Sequence, residues 1–281
     1  MDALVSTDWL ASALGAPDIR VVDATSVLAS DGRSPAAEYE AQHIPGAVFM
    51  DLGEIVDTSS PLPMMLPSAE KFASRMQSLG LGDGSRIVIY DNSPYKSAAR
   101  AWWMLSQVFG AHGVAVLDGG LAKWLAEGRP TESGKPSIRH RHFTVWKNDK
   151  VVRTKAQILA NLDSGAEQLM DARGAARFTG AEGDPRPHVA PGHIPGSRNL
   201  PFGQLFHPDG TWKRGDALRA AFEAAGIDLS RPLVATCGSG LTAANLVFGA
   251  YLLGKTDVAL YDGSWSDWGA DPETPKATGP A

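Results

Sequence analysis

The chain contains one cysteine, Cys237, in the run Leu233-Val-Ala-Thr-Cys-Gly-Ser-Gly-Leu-Thr-Ala-Ala-Asn245. Positions 233–236 read as a short buried strand. Positions 242–253 read as a helix, with Thr242 as its N-cap. Between them, Gly238 and Gly240 let successive backbone N–H groups turn inward and form a nest for negative charge. The helix that follows adds the positive end of its dipole. The thiolate is the nucleophilic form of cysteine, and such a setting suits it. Most lone cysteines are small buried hydrophobes. The order strand, cysteine, Gly-x-Gly and helix start points to chemistry instead.

Two chemistries use a cysteine loop ahead of a helix. Hydrolysis of phosphate esters needs an arginine six residues after the cysteine to clamp the phosphate oxygens, and that position is Ala243. Sulfur transfer has no such requirement. There the thiolate takes an activated sulfur, holds it as a persulfide and passes it to a thiol or cyanide. A neutral nest of N–H groups matches a persulfide anion.

The elements that must position this loop alternate between strand and helix. Strands are expected at 19–24, 86–91 and 114–119, and again at 168–172, 233–237 and 258–262. Helices are expected at 68–79, 97–109 and 121–127, and again at 215–225 and 242–253. This alternation gives an α/β fold with mainly parallel sheets flanked by helices. Four short motifs recur in the same order, 144–150 residues further on. Val22-Asp-Ala24 returns as Met170-Asp-Ala172, and His43-Ile-Pro-Gly46 as His193-Ile-Pro-Gly196. The strand ending at Asp91 returns as the one ending at Cys237, and Leu117-Asp-Gly-Gly120 as Tyr261-Asp-Gly-Ser264. The chain therefore reads as a duplicated domain: residues 1–128, a polar linker over 129–150, and residues 151–281 with the reactive cysteine. Ligands of open α/β sheets bind at the carboxyl ends of the strands, where Cys237 lies. Its counterpart Asp91 is expected to cap the following helix. The repeated histidines are expected to serve turns. Trp102, Trp103 and Trp124 are expected to pack helix against sheet.

Of the 281 residues, 43% are hydrophobic and 20% charged, with a net charge of −5. No broad basic surface argues for nucleic acid or anionic membrane, and no apolar stretch is long enough to span a bilayer. One cysteine can form neither an internal disulfide nor a cysteine-cluster metal site, so no metal is expected. A lone thiol and an N-terminus without targeting features fit the cytoplasm.

These residues together resemble a two-domain rhodanese-type sulfurtransferase, over both halves and nearly end to end. The loop 237–242 is most similar to that of the 3-mercaptopyruvate sulfurtransferases. Thiosulfate-specific relatives carry basic residues where Gly238 and Ser239 stand, which suits a dianionic donor. The resemblance implies two tandem rhodanese-like domains, with catalysis in the second by Cys237 and Ser239. It also implies a donor cradle of Gly238, Gly240, Leu241 and Thr242, with Arg177 and Arg186 holding the donor's carboxylate and keto oxygen. The donor implied is 3-mercaptopyruvate. The acceptor is a thiol such as thioredoxin or a low-molecular-weight thiol, and no cofactor is required. Thiosulfate is the alternative donor. A non-catalytic persulfide carrier is the rival from another class, and the arginine pair argues against it. One departure stands out. The family's serine is thought to act with a histidine and an acid of the first domain, and here those positions are Met64 and Gly53.

Overall fold

In the computed structural model, which describes residues 1–280, ten strands and ten α-helices alternate along the chain. The first half runs β1 (Leu4–Val5), α1 (Thr7–Ala13), β2 (Ile19–Asp23), α2 (Pro35–Ala41), β3 (Ala47–Phe49), α3 (Ala69–Ser78), β4 (Arg86–Tyr90), α4 (Ala98–Trp102), β5 (Val114–Leu117) and α5 (Gly120–Ala126). The second runs β6 (Val152–Arg153), α6 (Lys155–Ser164), β7 (Gln168–Asp171), α7 (Ala175–Thr179), β8 (Arg198–Asn199), α8 (Gly215–Ala224), β9 (Leu233–Thr236), α9 (Ala243–Leu252), β10 (Val258–Tyr261) and α10 (Ser264–Trp268). The strand orders are β1-β5-β4-β2-β3 and β6-β10-β9-β7-β8. The second is the first shifted by five strands, and every pairing is parallel.

The central strands are apolar on both faces because helices cover both. Val88 and Tyr90 of β4 join Trp124 and Leu10 in the core of the first half, and Val234 of β9 joins Tyr261, Trp265 and Trp268 in that of the second. Trp102, Trp103 and Trp124 are fully buried, as expected of packing residues. The helix expected over 97–109 is α-helical only to Trp102. Its wider π-helical continuation spans Trp103–Val108.

The chain divides into two compact units. One comprises residues 1–57, 66–148 and 207–212; the other comprises 58–65, 149–206 and 213–281. The stretch 129–150, expected as a linker, is largely spent on the first unit. Phe143 is buried there, and the Trp146 and Asn148 N–H groups donate to the Phe109 and Val108 carbonyls at 3.1 and 2.8 Å. Residues 207–212 also belong to the first unit, where the Trp212 N–H donates to Asp118 Oδ1 at 2.8 Å.

The His-Ile-Pro-Gly turns are alike in both units. His43 is buried, stacks on Tyr39 and bonds that residue's carbonyl through Nδ1 at 2.7 Å. His193 is buried, stacks on Phe178 and bonds its carbonyl at 2.8 Å. Both histidines hold turns. Asp91 is the cap expected of it: its carboxylate accepts from the Ser93 and Ala98 N–H groups at 2.9 and 2.7 Å.

Candidate active site

Cys237 follows directly on β9, at the carboxyl edge of the second sheet, and is 1% exposed. The Gly240 N–H donates to its Sγ at 3.2 Å, closing the loop so that a backbone dipole faces the sulfur. Gly240 sits at φ +84, in the left-handed region that glycine enters without strain. Gly238 and Ser239 are half-buried and Leu241 is buried. Among the described residues, the Ser239 hydroxyl has no hydrogen-bond partner in the protein. Thr242 stands at the N-cap of α9, but its side chain makes no cap bond and its backbone is already helical. This corrects the expected side-chain cap. Residues 243–250 of α9 are all buried, so the helix is anchored by packing and needs no cap to stay in place.

Residues after β10 hold the loop from behind. The Trp265 and Ser266 N–H groups donate to the Cys237 and Gly238 carbonyls at 3.0 and 2.8 Å. Ser266 Oγ also donates to the Gly238 carbonyl, at 3.0 Å. Ser264 is fully buried, donates its hydroxyl to the Tyr261 carbonyl at 2.8 Å, and accepts from the Cys237 N–H at 3.2 Å. Its φ is +48, costly for a residue with a Cβ. In the first unit the matching residue is Gly120, at φ +58. There the Leu121 N–H donates to the Asp91 carbonyl at 3.1 Å, so the two units share one backbone arrangement with different side chains.

Arg186 pairs with Asp184 through Nε and NH2, at 2.7 and 2.8 Å, and its NH2 lies 3.4 Å from the Gly238 carbonyl. Burial alone would raise the Asp184 carboxyl, but hydrogen bonds from Arg186 outweigh it and hold the group below its usual range. Arg177, on α7, pairs with Glu182 at 3.2 Å, and its side chain is 35% exposed; its charge also acts on Asp184. Of the two expected arginines, Arg186 reaches the loop, while Arg177 acts on the same Asp184 carboxylate through its charge. The first unit keeps an echo of this: Arg33 pairs with Glu38 and donates to the Asn92 carbonyl at 3.0 Å, and Asn92 matches Gly238 in the repeat.

Two residues of the site went unrecognised in the sequence. One is Ser264, visible as the only changed residue type in the repeated Asp-Gly-Gly/Asp-Gly-Ser ending. The other is Arg173. It is buried, forms a two-pronged pair with Asp171 and donates to the Gly192 carbonyl at 2.8 Å. Its guanidinium lies 4.6 Å from the Trp265 ring centroid. Met64 lies in the segment that belongs to the second unit, at φ +61. Gly53 belongs to the first; a Cβ there would lie 3.2 Å from Asp51 Oδ1. Among the described residues, no group of three or more His, Cys, Asp or Glu is placed to hold a metal ion, and no helix is long and apolar enough to cross a membrane.

A family model described as a rhodanese-like domain matches residues 6–127 and again 154–271. A 3-mercaptopyruvate sulfurtransferase of Mus musculus is 44% identical over 95% of this chain and 91% of its own. A thiosulfate sulfurtransferase of Cricetulus griseus is 43% identical, over 97% and 94%. Among solved structures, SseA from Escherichia coli, described as showing the rhodanese fold of 3-mercaptopyruvate sulfotransferases, superposes with a TM-score of 0.86 at 37% identity. It covers 94% of this chain and 99% of its own.

Proposed function

The chain belongs to the rhodanese family, with two rhodanese-like domains in tandem, and we propose that it is a 3-mercaptopyruvate sulfurtransferase working through Cys237. The observation that carries this reading is the loop itself. A backbone N–H donates to the Cys237 sulfur, and no basic side chain stands anywhere in 238–242. Such a loop accommodates one negative charge on sulfur and offers little to a dianionic donor. The cationic groups, Arg186 and Arg177, are set to one side, where a carboxylate displaced from the reacting sulfur would lie.

In the reaction proposed, the Cys237 thiolate attacks the sulfur of mercaptopyruvate. The carbon–sulfur bond breaks with its electron pair passing to carbon, so pyruvate leaves as its enolate. The proton once on the donor thiol ends on that carbon, and the sulfur stays on Cys237 as a persulfide anion. An acceptor thiol, thioredoxin or a small thiol, then takes the outer sulfur. The Gly240 N–H stabilises the charged sulfur throughout, and Arg186 and Arg177 orient the carboxylate and keto group. We place this work in the cytoplasm, where reducing thiols are at hand. Met64, in place of the family histidine, favours thiosulfate as a second reading, since that donor has no thiol proton to move.

A side-by-side assay tests this, with mercaptopyruvate and thiosulfate as donors and cyanide as acceptor. The expected outcome is the higher kcat/KM for mercaptopyruvate. Intact-mass measurement should show one added sulfur on the wild type and none on Cys237→Ser. A better rate with thiosulfate would favour the second reading, and turnover by Cys237→Ser would exclude the nucleophile.

A further inference from the structure

The first unit carries a second cationic site, at the amino edge of its sheet and so opposite the edge that bears Asp91. A cavity of about 390 Å³ opens there, with Leu14, Val48 and Ile138 on its apolar wall. Arg20, Arg139 and Arg141 also line it, and no acidic side chain does. Arg20 spends two of its donors on the Ile19 and Pro17 carbonyls, at 2.5 and 3.1 Å. Among the described residues, Arg139 and Arg141 have no ion pair or side-chain hydrogen bond. Asp18, the carboxylate that acts on Arg20, is held by Arg86 Nε at 2.6 Å. Partial burial, and then the neighbouring Arg141, hold the Arg20 guanidinium below its ordinary range.

The strand of chain bearing Arg139 and Arg141 is seated firmly. The Asp83 N–H donates to the His142 carbonyl at 2.9 Å, and the Thr144 N–H returns to Asp83 Oδ1 at 2.9 Å. A Cβ at Gly82 would lie 2.5 Å from the Arg141 Cβ, so only glycine there lets the two stretches approach. The result is three arginines brought to one cavity by a seated backbone, with Arg20 and Arg141 close enough for their charges to interact, on a chain whose net charge is −5. Left alone, that arrangement costs stability. A cavity of this size lined by three arginines and no carboxylate is suited to planar oxyanions. We propose that this cavity binds a compact anion carrying two or more carboxylate or phosphate groups, independently of the Cys237 site.

Isothermal titration calorimetry on the full chain tests the proposal. Citrate and inorganic pyrophosphate serve as probes and acetate as the monoanionic control, all at one ionic strength set with KCl. The expected result is that at least one polyanion binds in a single equivalent, about tenfold or more tighter than acetate. The variant Arg139→Ser/Arg141→Ser should lose that preference while keeping wild-type sulfur transfer, since neither residue touches the Cys237 loop. The variant Arg177→Ala/Arg186→Ala should keep it. Polyanions that bind no tighter than acetate would overturn the proposal. So would binding that survives the Arg139/Arg141 change, or binding lost in the Arg177/Arg186 variant, which would put the anion in the catalytic site.

Discussion

Arg186 and Arg177 differ in how each is held. Arg186 is fixed by a two-pronged pair with a buried carboxylate and lies against the Gly238 carbonyl; Arg177 has a single, exposed partner. A pre-fixed guanidinium loses less freedom when a donor binds. Arg186→Ala should therefore lower kcat/KM for mercaptopyruvate by about 1.5–3 kcal/mol, the range for a hydrogen bond to a charged group. Arg177→Ala should act in the same direction with a smaller loss. Steady-state kinetics of the two variants check the order. Ser264 poses a separate question, because it combines backbone strain with a bond to the Cys237 N–H. Ser264→Ala keeps the strain and loses the bond, whereas Ser264→Gly relieves the strain as Gly120 does in the first unit. Turnover should fall in both, while thermal denaturation should show the glycine variant as the more stable. Cys237 stood out by its type and its loop, whereas Arg177 and Arg186 were pointed to only by the family resemblance of the segments that carry them. Ser264 and Arg173 were not legible, since a lone serine or arginine declares nothing until its contacts are known.

At the level of elements, the six central strands of the two sheets could be read from runs of β-branched residues, and the ten-residue helices α3, α8 and α9 from apolar periodicity; α6, equally long, was not expected. The strands at the sheet edges could not be read. β1, β6 and β8 are two residues long and β3 is three, too short for any period to register. Short elements of this kind owe their stability to their surroundings, and α5 shows how. Its C-cap residue, Glu127, accepts from Lys123, one turn back, and from Arg129. These bonds, that from Lys123 foremost, lower its carboxyl from the usual 4.5 to about 2. A lowered carboxyl stabilises the fold above its unfolded pKa, and the benefit disappears as pH falls through the folded value. Wild type should therefore be more stable than Glu127→Gln above about pH 5, with the difference fading between pH 4.5 and 2. Urea midpoints measured across that range test this, and a gap that does not change with pH would refute it.

At the scale of the whole molecule, the repeat made the two-fold plan and the parallel sheets legible, because duplicated motifs preserve order even where side chains diverge. The assignment of segments to units was not legible: residues 58–65 and 207–212 each belong to the unit whose main body lies in the other half. No local pattern distinguishes such a segment from an ordinary surface loop. Residues 149–281 expressed alone would lack 58–65, with Met64, and would leave the 207–212 segment without Asp118. That fragment should melt at a lower temperature than the full chain and transfer sulfur more slowly, as calorimetry and the donor assay would show. The exchange also bears on how the chain came to keep a half that has aspartate where its twin has cysteine. Two freshly duplicated copies are independent, and either can be lost without harm to the other. Once each copy has lent a segment to its neighbour, deleting one removes part of the survivor. The duplication is then entrenched: selection on the cysteine-bearing copy preserves the aspartate-bearing one, whether or not the latter has any chemistry of its own.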